Sequence, residues 1–223
     1  MQSAAQTARP VSWWKPLTLW GRPNRSLLDA LLPSVTFWQK LAIALLFIGL
    51  LVALGRARFY LPGNPVPITL QTFGVFMTGA VLGWRWGIFS ILGWYFLGMA
   101  GVPVFQGGGN GWAYVSGMTS VTGGFLIGFI LSVGLVGFLS QRGWTHSRAL
   151  WPILLASLLL YVPGLLFWFS APINDVLPDA YQLTSSTLFQ KGMYPFIPGD
   201  LVKVMGASIV TGVLWSVADR RRG

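Results

Sequence analysis

Residues 38–55 read Trp38-Gln39-Lys40-Leu41-Ala42-Ile43-Ala44-Leu45-Leu46-Phe47-Ile48-Gly49-Leu50-Leu51-Val52-Ala53-Leu54-Gly55. From Leu41 to Gly55 no position carries a charge or a hydrogen-bonding side chain. A bilayer core is crossed by about 20 apolar residues in a helix, so this run predicts a membrane span. Five further candidate runs are predominantly apolar, at 68–84, 86–104, 119–140, 149–170 and 199–217, the last carrying Lys203 near its start. The predicted fold is an all-α integral membrane protein with six transmembrane helices over residues 38–217. A basic, aromatic extension (1–37) precedes them and a basic tail (218–223) follows.

The composition supports this. Of 223 residues, 54% are hydrophobic and 9% charged, with a mean hydropathy of +0.63. A soluble domain is about one-quarter charged. Lys and Arg number 15 against 5 acidic residues, all Asp, for a net charge of +10. The basic residues sit between apolar runs rather than in one patch, which excludes a nucleic-acid interface. The absence of Cys excludes disulfides and thiolate metal sites. A single His and no Glu exclude a His-Glu-x-x-His metal site. The first 37 residues hold no apolar core of signal-peptide length. Trp13, Trp14, Lys15, Arg22 and Arg25 fit either a segment on the inner membrane surface or an unstructured tail.

Orientation follows from the loop cations. With the N-terminus inside, Arg9, Lys15, Arg22, Arg25, Lys40, Arg85, Arg142, Arg148, Arg220, Arg221 and Arg222 are cytoplasmic. Only Arg56, Arg58 and Lys191 are then outside, so both termini are expected in the cytoplasm. The external loops are Arg56 to Pro67, Gln106 to Gly117 and Ala171 to Pro198. The first has prolines at 62, 65 and 67 and the second reads Gly107-Gly108-Gly109-Asn110-Gly111. Irregular backbone at membrane depth is tolerated where it is buried or lines a cavity. Three such loops on one face predict a pocket opening outward.

The stretch Phe196-Ile197-Pro198-Gly199-Asp200-Leu201-Val202-Lys203 carries the chemistry. Pro198 and Gly199 are expected to break the chain before the last span, leaving Asp200 near the N-cap. Lys203 lies one turn on, about 4.5 Å along the axis. Charges within a span face a cavity or one another. The pair reads either as a cap with a snorkelling lysine, or as the polar end of a pocket for a zwitterionic or amide-bearing solute. Gly108, Gly109 and Asn110 read as a flexible lid or as backbone closely approaching a ligand. Gln71 reads as interfacial or as pocket wall. Gly49 with Ala53, and Gly124 with Gly128, fit small-x-x-x-small packing, the first pair within the chain or against a partner subunit.

No catalytic set emerges. Asp200 has no second Asp in a span, no Ser–His arrangement is visible, and no nucleotide-binding motif follows the glycines. A solute-binding transport subunit, an intramembrane enzyme using Asp200 and a small assembly protein remain as classes, the first accounting for most features.

Four ordered motifs resemble the BioY family, the biotin-binding substrate subunits of energy-coupling factor (ECF) transporters. They are Pro65-Val66-Pro67-Ile68-Thr69-Leu70-Gln71-Thr72, Gly101-Val102-Pro103-Val104-Phe105, Thr122-Gly123-Gly124-Phe125-Leu126-Ile127-Gly128-Phe129 and the 196–203 stretch. The resemblance implies a six-helix, non-enzymatic subunit of the cell membrane with a biotin pocket near the outer face. It aligns Asp200 and Lys203 with the family's acidic and basic pocket residues, with Asn110, Gly108, Gly109 and Gln71 around them. Asp200 suits the ureido N–H donors and Lys203 the valerate carboxylate, although the end that each meets stays open. Partners would be a transmembrane coupling subunit and two cytoplasmic ATPases, with Gly49 and Ala53 as a docking seam. ATP would enter only through those partners, and no metal is implied. Thiamine is the alternative substrate. The chain departs from the family at Ser120-Val121 and Phe125, where a proline and a phenolic hydroxyl are usual.

Overall fold

Ser26 and Thr36 open the first two helices. Each side chain accepts from the backbone N–H three residues on, and Asp29 and Gln39 return the bond, forming two capping boxes. They start α1 (Leu27–Leu31) and α2 (Phe37–Arg56) in a computed structural model that describes residues 25–118, 120–175, 177–179 and 182–221. Trp13, Trp14, Lys15 and Arg22 of the expected surface segment lie outside the described residues. Two-residue strands follow: β1 (Arg58–Phe59) pairs antiparallel with β2 (Ile68–Thr69), Arg58 opposite Thr69. The remaining elements are α3 (Gln71–Met99), α4 (Trp112–Val115), α5 (Gly123–Gln141), α6 (Trp144–Arg148), α7 (Leu150–Leu159), α8 (Tyr161–Phe169), α9 (Ala171–Asn174), α10 (Leu188–Gly192) and α11 (Ile197–Arg220).

Among the described residues five helical segments are long and apolar enough to cross a membrane: Phe37–Arg56, Gln71–Met99, Gly123–Gln141, Leu150–Phe169 and Leu188–Arg220. Five is one fewer than the six expected runs because two of those runs are joined in the single α3 segment. Runs 68–84 and 86–104 largely coincide with the two arms of α3, whose helical backbone is interrupted at Gly83. Gly83 has φ 75° and ψ 179°, backbone that a side chain would strain. The chain folds back there: a Cβ on Gly87 would lie 3.5 Å from the Gly79 Cα, whereas eight residues of straight helix rise about 12 Å.

α5 packs against both arms of this hairpin through small residues. A Cβ on Gly79 would sit 2.8 Å from the Val133 carbonyl, and one on Gly137 2.4 Å from the Trp84 nitrogen. Gly124 and Gly128 of α5 similarly meet the Pro163 and Leu160 carbonyls at 2.4 and 2.5 Å. Close backbone approach of this kind packs helices where lipid supplies no hydrophobic drive between them. The outward faces remain apolar, as at Leu46, Val162, Leu166 and Val202.

The three irregular loops converge at one end. Arg56 donates to the Pro103 carbonyl at 2.7 Å, and Asn64 to the Lys191 carbonyl at 2.7 Å. At the other end Arg221 donates to the Leu31 carbonyl at 3.2 Å, bringing α1 and the end of α11 together. A correction concerns α11. It begins at Ile197, so Pro198 and Gly199 lie inside its first turn, where proline's missing N–H has no intrahelical partner to lose. Phe196 holds the N-cap position without a side-chain bond, and Asp200 is inside the helix rather than at its cap.

Candidate functional site

α11 carries Asp200 and Lys203 inward, each 7% exposed. Lys203 Nζ lies 2.6 Å from Asp200 Oδ1 and donates to the Thr69 carbonyl at 3.1 Å. The Tyr161 hydroxyl of α8 donates to Asp200 Oδ2. Two buried charges thus neutralise each other and are anchored to two other elements. An ammonium has three N–H donors, so Lys203 keeps one uncommitted by these bonds. The Asp200 oxygens retain further lone pairs for N–H donors.

These groups line a cavity between α3, α5, α8, α11 and β2. Phe125, Phe129, Leu160, Phe196 and Val66 form its apolar walls, and Gln71, Thr72, Thr122 and Gln106 add polar groups. Such a combination, mostly apolar with a few directed polar groups, suits a small organic molecule. Gln71 is 1% exposed and donates to the Leu51 carbonyl at 3.0 Å, tying α3 to α2. Thr72 is 8% exposed, and its hydroxyl has no partner among the described residues. A buried hydroxyl left unpaired carries a desolvation cost that a ligand atom can relieve.

The structure therefore brings Asp200, Lys203 and Gln71 to one cavity. Gly109 lines a neighbouring cavity that shares Gln106 with the first. Asn110 is exposed and donates to the Gly108 carbonyl at 3.1 Å. The glycine loop has another use. A Cβ on Gly107 would fall 1.8 Å from Arg58 Nη1, one on Gly108 2.7 Å from Arg56 Nη1, and one on Gly109 2.3 Å from the Tyr114 ring. Each glycine admits one large side chain against bare backbone. Phe105 fixes the loop from behind, 5.0 Å from Trp94 and 5.2 Å from Tyr114 between ring centroids. Trp94 itself donates to the Val104 carbonyl.

Gly49 and Ala53 are both exposed on α2, and a Cβ at Gly49 would meet nothing within 4 Å. Sequence reasoning missed Tyr161, Thr72, Thr122 and the Thr69 carbonyl. Tyr161 carried a signal, as the one tyrosine in the run 149–170: a phenol in an apolar helix needs a hydrogen-bond partner. Its ring stands edge-on to that of Phe125, with 6.1 Å between centroids.

A profile of the BioY family matches residues 25–220. The chain is 35% identical to the biotin transporter BioY of Rhizobium etli over 77% of its own length and 90% of the relative's. It is 39% identical to the biotin transporter BioY of Rhodobacter capsulatus over 76% and 87%. Among solved structures, the S-component for biotin from an ECF-type ABC transporter matches with a TM-score of 0.65 and 25% identity. The match covers 85% of this chain and 96% of that one.

Proposed function

The chain belongs to the BioY family, and from that premise we propose that it captures biotin at the outer face of the cytoplasmic membrane and passes it inward. It is a transport subunit rather than an enzyme, the substrate-binding S-component of an ECF-type ABC transporter. The observation that carries this reading is the buried Asp200–Lys203 pair facing an apolar cavity.

The pair is net neutral, and its chemistry matches the neutral ureido ring better than a carboxylate. Ureido N–H groups donate to Asp200, and the remaining Lys203 N–H meets the ureido oxygen. A carboxylate in the same place would bury an unbalanced negative charge, which costs far more. Phe125, Phe129 and Phe196 supply apolar surface for the thiophane ring and the alkyl chain, and the unpartnered Thr72 hydroxyl gains a ligand atom.

Each arm of α3 crosses the bilayer in this reading, so that both termini face the cytoplasm. Arg85, Arg142, Arg148, Arg220 and Arg221 then lie inside, with Arg56, Arg58 and Lys191 outside, in accord with the cation bias of membrane loops. Energy comes from a transmembrane coupling subunit and two cytoplasmic ATPases. The exposed Gly49 and Ala53 of α2 form the seam for the coupling subunit, since small residues let a partner helix approach closely.

Asp200→Asn tests the site. The carboxamide keeps the size but loses charge and turns one acceptor into a donor. Biotin affinity of the purified chain should fall by about tenfold or more, the scale of a hydrogen bond to a charged group, with helix content unchanged. Unaltered affinity would remove Asp200 from the site.

A further inference from the structure

Where α2 and the second arm of α3 begin side by side, the structure leaves a furrow. Phe37 and Leu41 line it from α2, and Arg85, Trp86 and Phe89 from α3. Its walls are rings: the Phe37 and Trp86 centroids are 5.4 Å apart, and those of Trp86 and Phe89 5.5 Å apart. One turn deeper the two helices touch. The Ser90 hydroxyl donates to the Ala44 carbonyl at 3.2 Å, and a Cβ on Gly93 would lie 3.0 Å from Ile48 Cδ1. Phe37 and Phe89 stay 61% and 46% exposed, so the furrow opens onto the surface that lipid covers.

Two features set it apart from the rest of that surface. Arg85 is exposed at its edge, and among the described residues no carboxylate lies within ion-pair distance of it. Its guanidinium rests 5.2 Å from the centroid of the Trp84 ring. Lys40 of α2, by contrast, is already taken by Asp29 at 2.6 Å. Trp38, Trp84 and Trp86 also gather at this end, none of them buried, and tryptophan settles at headgroup depth. Phe89 lies one turn further along the helix than Arg85, about 6 Å. A cation at headgroup depth followed by an apolar, aromatic furrow has the order of groups of one lipid molecule, phosphate first and acyl chain next.

We propose that this furrow is a site for one anionic phospholipid of the inner leaflet. Its phosphodiester lies on Arg85, and the upper part of an acyl chain lies against Phe37, Leu41, Trp86 and Phe89. The choice of leaflet rests on the orientation proposed above, and nothing in the site rests on biotin. The guanidinium offers two parallel donors that match phosphate oxygens. Its unbalanced charge favours a headgroup of net negative charge over a zwitterionic one, whose own cation offsets the phosphate.

The test is native mass spectrometry of the full chain, released from detergent with equimolar phosphatidylglycerol and phosphatidylcholine of the same acyl chains. Bound phosphatidylglycerol should outnumber bound phosphatidylcholine about fivefold, the scale of one cation beside an anionic headgroup. Arg85→Gln should remove the preference with helix content unchanged. Arg220→Gln, which removes a cation that does not line the furrow, should keep it. Glycerol phosphate, the soluble headgroup fragment, should not displace the lipid. Equal retention of both lipids by the parent chain is what a bare apolar face for a partner helix would give, and it would overturn the site. So would a preference that survives Arg85→Gln, or displacement by glycerol phosphate. Ser34→Cys, in a chain without cysteine, reads the leaflet separately. An impermeant maleimide should label it only after the inner face is opened, and labelling of intact cells would overturn the inner-leaflet assignment.

Discussion

Lys203 Nζ donates to the Thr69 carbonyl at 3.1 Å, across 134 positions of chain. The bond couples the helix that carries the charged pair to the short ladder that positions Arg58. It also holds the Lys203 ammonium against Asp200 rather than letting it snorkel to the interface. The pair is thus pre-assembled, and a ligand meets fixed donors and acceptors rather than having to order them.

The pair should show strong coupling in a double-mutant cycle. Lys203→Met leaves the Asp200 carboxylate buried and unpaired, a change that costs about 3–5 kcal/mol. Asp200→Asn with Lys203→Met removes both charges and should recover most of that stability. Biotin binding should remain lost in the double variant. Thermal unfolding in detergent and calorimetry measure the two properties separately. Additive stability losses would show that the charges are not partners.

Gly83 should tolerate no side chain. Its φ of 75° strains any L-residue, and a Cβ would lie 2.7 Å from Gln141 Nε2. Gly83→Ala is expected to destabilise the chain by about 1–3 kcal/mol, whereas Gly49→Ala, facing open space, should change stability little. The comparison of melting temperatures checks the turn within α3.

At the opposite end, Asp29 ties α1 to α2. Burial alone would raise its carboxyl, but the bonds from Lys40, 2.6 Å away, and from Ser26 hold it below the ordinary value of 3.8. A carboxylate depressed on folding stabilises fully above its unfolded-state value and loses that contribution as pH falls through the folded one. Between pH 7 and about pH 3 the parent chain should lose melting temperature faster than Asp29→Asn. Parallel pH profiles would contradict the assignment.

Much of the architecture is legible in the residues, for uneven reasons. Long charge-free runs such as 38–55 and 149–170 announce spans because lipid demands length and apolarity together. Asp200 and Lys203 stand out because charge in such a run is costly. The α3 turn is less legible: glycines recur at 79, 83 and 87, and spacing does not say which one takes positive φ, while the tryptophans at 84 and 86 draw attention to the wrong residues. Tyr161 is readable as a phenol in an apolar run. The Thr69 carbonyl is not, since every residue has one and only the tertiary fold selects it. The glycine loop is readable as permissive backbone, but its three occupants, Arg58, Arg56 and Tyr114, come from other segments and leave no mark on the spacing.

The central claim is that this chain alone holds a biotin site. Purified in detergent, without other subunits, it should be titrated calorimetrically with biotin, thiamine and riboflavin. One-to-one binding of biotin with no heat from the other two vitamins is the predicted result. A folded chain that binds thiamine or riboflavin in place of biotin, or none of the three, would contradict it.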